Sequence, residues 1–129
     1  MKLFYLTLLA VFCAGNVSTD PITQFAELLG KGKAHEMAKM FASNVELTLI
    51  DNTATYTKAQ AEAALDKFFT QNKPVSSKML HKINSNPNFN FGVIIITTDK
   101  GDYRAAFTLK DTNGSLQLIE LRIEPEKVK

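Results

Sequence analysis

The chain has a single cysteine, Cys13, and only two histidines, His35 and His81, among its 129 residues. So small a set excludes a Cys/His zinc centre, an iron–sulfur cluster and a disulfide framework, and no metal or other cofactor is expected. Charge of one sign is missing too. Fifteen Lys and Arg stand against 13 Asp and Glu, a formal net charge of +2. A balance so even builds no extended field to attract nucleic acid or anionic lipid, so neither is expected as a partner. No apolar run reaches the roughly 20 residues that a membrane-spanning helix needs. There is no internal repeat, low-complexity tract or long linker, and no nucleophile elbow or phosphate-binding glycine loop. What is there is an ordinary globular composition, 45% hydrophobic and 22% charged. That suits one compact domain.

The first fifteen residues, MKLFYLTLLAVFCAG, set Lys2 before an apolar run from Leu3 to Ala14 that only Thr7 interrupts. A run of about 12 apolar residues is too short to span a bilayer and matches the core of a secretory signal peptide. The small residues Cys13 and Gly15 fit shallow signal-peptidase pockets, so cleavage is expected after Gly15. Export to a periplasmic or extracellular compartment follows, with residues 16–129 as the single mature domain. That domain has no cysteine, which suits an oxidising compartment and leaves no thiol nucleophile. Acylation of Cys13 as a bacterial lipoprotein is the less favoured alternative. It wants a small residue before the cysteine, and Phe12 stands there.

Asp20-Pro21 marks a helix start, a capping carboxylate followed by proline at the first helical position. Ile22, Phe25, Ala26 and Leu29 then share one face, and Gly30 and Gly32 end the helix. A second short helix is expected to carry Ala34, Met37, Ala38 and Phe41 and to stop near Ser43-Asn44. Val45, Leu47 and Leu49 alternate with Glu46 and Thr48, which reads as a strand with one buried face. Thr53 to Tyr56 returns after the Asp51-Asn52 turn. Thr57 and Gln60 form a capping box for a third helix that buries Ala61, Ala64, Leu65 and Phe68 and closes at Asn72-Lys73-Pro74. Four strands follow, over 75–84, 89–98, 102–111 and 115–124, with short turn-rich links that favour hairpins. The order α-α-β-β-α-β-β-β-β predicts an α+β domain of two layers, three helices on one side of an antiparallel sheet.

Alternation assigns the sheet faces. Tyr103, Ala105, Phe107 and Leu109 should meet the helices while Arg104, Thr108 and Lys110 turn away. Ile119, Leu121 and Ile123 should share a face in the last strand. Strand 89–98 is apolar on both sides, with Phe91, Val93 and Ile95 opposite Ile94 and Ile96. Helices cover one side only, so the outer face is expected to be the interface of a homodimer. Shielding by long Lys and Arg stems from neighbouring strands is the competing reading.

This order of elements resembles the nuclear-transport-factor-2-like fold, also called SnoaL-like or cystatin-like. The resemblance implies a cone-shaped domain, with three helices in the concavity of a curved antiparallel sheet that often encloses a pocket. Asn44-Val-Glu-Leu-Thr-Leu49, Tyr56-Thr-Lys-Ala-Gln-Ala61, Phe68-Phe69, Leu80-His81 and Leu118-Ile-Glu-Leu-Arg-Ile-Glu124 are similar to a small exported bacterial family of unknown function with that fold. In ketosteroid isomerases and polyketide cyclases of the superfamily, a carboxylate base stands on the inner face of the first hairpin strand. Here that face carries Val45, Leu47 and Leu49, and Glu46 is out of phase, which removes the proton acceptor.

His81 shares a strand phase with Val75, Met79 and Ile83 and is expected to face inward as a polar handle in the cone pocket. A solvent-facing position after a bulge is the alternative. Tyr56, Tyr103 and Phe107 complete the set of candidate ligand-binding residues, and no catalytic residue or metal ligand is assigned. His35 and Glu36 are adjacent, so they do not share a helix face and make no metal site. Asn113-Gly114-Ser115 fits a glycosylation sequon, yet a hairpin turn already accounts for it. The expected function is non-enzymatic binding of a small apolar ligand or a protein partner. A lyase- or isomerase-like enzyme with His81 as base is the rival, and it needs an open chamber with a second titratable group beside that ring.

Overall fold

The computed structural model describes residues 20–126. The signal peptide, its cleavage at Gly15 and the alternative at Cys13 lie outside the described residues.

Helix α1 (Pro21–Gly30) starts on local chemistry. The Asp20 carboxylate accepts the Thr23 N–H at 2.7 Å, and Pro21 occupies the first turn. Lys82 reaches the same carboxylate from the sheet. The Lys82 hydrogen bond, followed by that of the Thr23 amide, holds the Asp20 carboxyl below the usual carboxylate range. The helix ends in a Schellman arrangement: Lys33 N–H bonds the Leu28 carbonyl and Gly32 N–H the Leu29 carbonyl, each at 3.0 Å. Gly32 supplies the left-handed residue this closure requires, with φ +68°.

Helix α2 (Ala34–Ala38) is a single turn, shorter than its apolar stripe predicts. Phe41 instead opens strand β1 (Phe41–Leu49) and pairs with Leu118. The Leu118 N–H bonds the Met40 carbonyl at 2.7 Å, drawing the chain onto the sheet one turn early. Phe41 is fully buried all the same, so its spacing from Met37 suits either conformation. Strand β2 (Asn52–Thr57) returns from a two-residue turn, and α3 (Lys58–Gln71) follows. Both halves of the α3 capping box form, Gln60 N–H to Thr57 Oγ1 and Thr57 N–H to Gln60 Oε1. Strands β3 (Pro74–Asn86), β4 (Phe89–Thr98), β5 (Gly101–Thr112) and β6 (Ser115–Pro125) complete the chain.

The result is an α+β fold with one six-stranded sheet, ordered β2-β1-β6-β5-β4-β3. It is not wholly antiparallel: β1 runs parallel to β6, which splices the first hairpin onto the meander. Helix α1 packs on β3 and β4, α3 packs on β1 and β2, and α2 lies against both other helices. The core lies between helices and sheet, where Ile22, Phe25, Met37, Leu47, Leu65, Ile94, Phe107 and Leu121 are among the fully buried side chains. In β6 the expected Ile119–Leu121–Ile123 face is corrected. Ile119 is an extra residue between Leu118 and Glu120, so Leu118 joins Leu121 and Ile123 in the core.

Candidate functional site

The helix side of the sheet is closely packed around Phe107. Phe107 sits at 0% exposure, its ring centroid 4.9 Å from that of Phe25 at an interplanar angle of 55°. Gly92 lies against the same ring, and a Cβ there would stand 2.5 Å from Phe107 Cζ. Phe107, expected to line a pocket, therefore has no surface to give a ligand. Tyr103 turns its ring edge-on to Phe68, 5.3 Å between centroids, and donates its hydroxyl to Asn72 Oδ1 at 2.9 Å. That bond ties β5 to the end of α3. Tyr56 packs half-buried at the core margin on β2. Val45 and Leu47 are fully buried while Glu46 is exposed, so no carboxylate enters the core from the first hairpin strand. Among the described residues no buried side-chain polar atom lacks a hydrogen-bond partner.

His81 is on the other side of the sheet. Met79 pairs with Ile94 on the helix side, but His81 pairs with Val93 on the outer face. The intervening Leu80 is an extra residue, and one extra residue reverses the side-chain phase of a strand. Two-residue alternation through 79, 81 and 83 thus fails at that bulge, and His81 and Ile83 are exposed. The four candidate residues do not meet in one chamber. Among the described residues no cluster of three or more His, Cys, Asp or Glu is placed to hold a metal ion.

The outer face is where unused apolar surface lies. Pairing aligns His81, Val93, Ala106 and Arg122 in one row, and Ile83, Phe91, Thr108 and Glu120 in the next. Lys78, Ile95, Arg104 and Glu124 form a third row. Val93 and Ile95 are only 5% and 9% exposed although no helix lies over them. That burial stops toward the edge: Ile83 is 51% and Phe89 43% exposed. Lys110 Nζ stands 5.8 Å from the Phe89 ring centroid. The face is thus apolar along β4, mixed over β3, where Lys78 and His81 stand beside Ile83, and charged, with both signs, over β5 and β6. Arg122 pairs with Glu124 at 3.2 Å, and Arg104 with Glu126 at 3.0 Å.

At the end of the charged half, Ile50, Asp51, Arg104, Glu124, Pro125 and Glu126 line an open groove of about 590 Å³. Ile50 holds φ at 63°, a region that a β-branched residue enters only under strain. Its N–H bonds the Ile123 carbonyl at 2.8 Å, which pins the turn beside β6.

A family model for a domain of unknown function, DUF4783, matches residues 22–124. The chain belongs to the DUF4783 family. A solved DUF4783 family protein from Bacteroides ovatus ATCC 8483 is 23% identical, covers 87% of this chain and 97% of its own, and superposes with a TM-score of 0.74. A designed nuclear-transport-factor-2-like protein with a long sheet is 17% identical over 78% of this chain and 94% of its own, with a TM-score of 0.63. A domain of unknown function with a cystatin-like fold from Nostoc punctiforme PCC 73102 is 10% identical over 82% of this chain and 73% of its own, with a TM-score of 0.65. No match was found among curated proteins. These likenesses show that the DUF4783 chain shares the nuclear-transport-factor-2-like and cystatin-like fold that its element order resembles.

Sequence reasoning on the DUF4783 chain did find the outer row Phe91–Val93–Ile95. It missed Ile83 and Phe89 as its extension, because the β3 bulge that brings Ile83 round leaves no mark in composition. It also missed the Ile50 groove. The turn expected at Asp51-Asn52 lies one residue earlier, at Ile50-Asp51, and the one available signal was a β-branched residue there, where glycine or asparagine is the usual choice. No helix among the described residues is long and apolar enough to cross a membrane.

Proposed function

We propose that this chain is an exported, non-catalytic binding module whose outer sheet face meets a protein partner, and that the partner is a second copy. The observation that carries this reading is the exposed apolar pair Ile83 and Phe89, beside half-buried Phe91, on a face no helix covers. It borders Arg104 and Arg122 on one hand and Glu120 and Glu124 on the other. A twofold partner can set each arginine against a glutamate while the apolar pairs meet, which is how self-complementary interfaces are built. The burial of Phe107, the core member of the candidate ligand-binding set, favours a protein partner over a small apolar ligand. His81 as a catalytic base gains no support from its neighbours Val93 and Ala106.

Native mass spectrometry of protein purified from its own envelope fraction tests the proposal. A self-associated species whose subunit mass starts at Asn16, and whose subunit number Phe91→Lys reduces, is the expected outcome. A bare monomer at every concentration would rule out the self-association. A retained small molecule would shift the reading toward a ligand carrier.

A further inference from the structure

The two edges of the sheet are built differently. Edge strand β3 carries Pro74, Lys78 and Lys82, and its pairing with β4 slips at three places. Prolines, lysines and bulges are the devices that stop an edge from pairing with another chain. Edge strand β2 has none of them. No proline, lysine or glycine interrupts Asn52–Thr57, and it pairs with β1 from Asn52↔Leu49 to Thr57↔Asn44 without a slip. The two-residue turn at Ile50-Asp51 sets the phase of that ladder. Main-chain groups of Asn52, Ala54 and Tyr56 turn toward β1, and those of Thr53, Thr55 and Thr57 turn away. The Thr57 N–H, bonded to Gln60 Oε1 at 3.1 Å, agrees with this phase. Thr53 and Thr55 are left presenting two N–H and two C=O groups along the open edge.

We propose that β2 pairs with β2 of a second copy, antiparallel about a twofold axis at Ala54, joining two sheets edge to edge. In that register Thr53 faces Thr55 of the partner subunit, and Thr55 faces the partner's Thr53. The outward N–H and C=O groups of those residues complete four main-chain hydrogen bonds. Centring the axis on Thr55 would instead call on the Thr57 N–H, which the α3 cap already uses. Opposed residues share a face. The threonine pairs therefore extend the outer-face contact between Thr48 Oγ1 and Thr53 Oγ1, 2.8 Å apart. Ala54 meets the partner's Ala54 on the helix side, where its small side chain lets the strands close. Asn52–Thr57 carries no charge, so the twofold opposes no like charges within the strand. The same operation on β3 would bring lysines together. This contact is separate from the outer-face interface and does not depend on it.

Amide hydrogen exchange tests the edge directly. Exchange at Thr53 and Thr55 should be slowed roughly tenfold or more relative to an unpaired edge amide, and the slowing should fade on dilution. Two variants then separate edge from face. Phe91→Lys should leave a dimer held by β2 alone. Adding Thr55→Pro, whose missing N–H faces away from β1 and so spares the fold, should convert that dimer to monomer. Thr55→Lys serves the same purpose should proline disturb the hairpin. Unprotected Thr53 and Thr55 amides at every concentration would overturn the edge pairing, as would a Phe91→Lys protein that is already monomeric. Either result leaves the outer-face reading untouched.

Discussion

Asp20 does two jobs with one carboxylate, capping α1 and receiving Lys82 from β3. Replacing it with alanine removes both, and a lost cap alone costs about 1 kcal/mol. The pH dependence has a definite sign. Because the folded carboxyl titrates below its unfolded value, its stabilisation is complete above about pH 4 and fades as pH falls through the lowered folded value. Urea unfolding should therefore separate Asp20→Ala from the parent at neutral pH, and the gap should narrow below pH 4. Ile50 is the opposite case, a residue that strains its own turn. Left-handed backbone costs an L-residue about 1–2 kcal/mol, and glycine avoids that cost at some expense in unfolded-state entropy. Ile50→Gly should raise the unfolding midpoint, by about 0.5 kcal/mol in stability. A fall would show that the Ile50 side chain contributes more in the groove than its backbone loses.

Elements that answer to local chemistry were legible in the sequence, and those decided by distant partners were not. The cap at Asp20, the glycine closure of α1 and the Thr57–Gln60 box each act within a few residues, so residue types alone reveal them. Phe41 reads as helix because spacing from Met37 is the local signal, while its pairing with Leu118 is not local. The bulge at Leu80 depends on how β3 meets β4, and it alone moves His81 to the outer face. The parallel β1–β6 contact likewise joins segments far apart in the chain. One position was open to prediction from composition only as a glycine in a strand: Gly92, which makes room for Phe107. Phe107 has no free space to move into, so Gly92→Ala should cost about 1–3 kcal/mol by overpacking. Thermal unfolding of that variant checks the value, and an unchanged midpoint would mean the core yields where the account holds it tight.

At the scale of the molecule, a packed core stands against an outer sheet face that no helix covers. The fold is one that in other families can surround a chamber, yet here Phe25, Met37 and Phe107 occupy the space between helices and sheet. The proposed recognition therefore uses the surface. In the proposed interface Ile83 and Phe89 are the exposed apolar contact, half-buried Phe91 lies beside them, and the arginines and glutamates of β5 and β6 set orientation. Raising salt should weaken any association that uses those charges while leaving the apolar contact in place, which sedimentation at two ionic strengths would show. The most direct test is to follow amide and methyl chemical shifts by NMR from dilute to concentrated protein. Outer-face association predicts concentration-dependent shifts at Ile83, Phe89 and Phe91, with the resonances of Phe25, Met37 and Phe107 unmoved. Shifts confined to the core residues, or none anywhere, would contradict it.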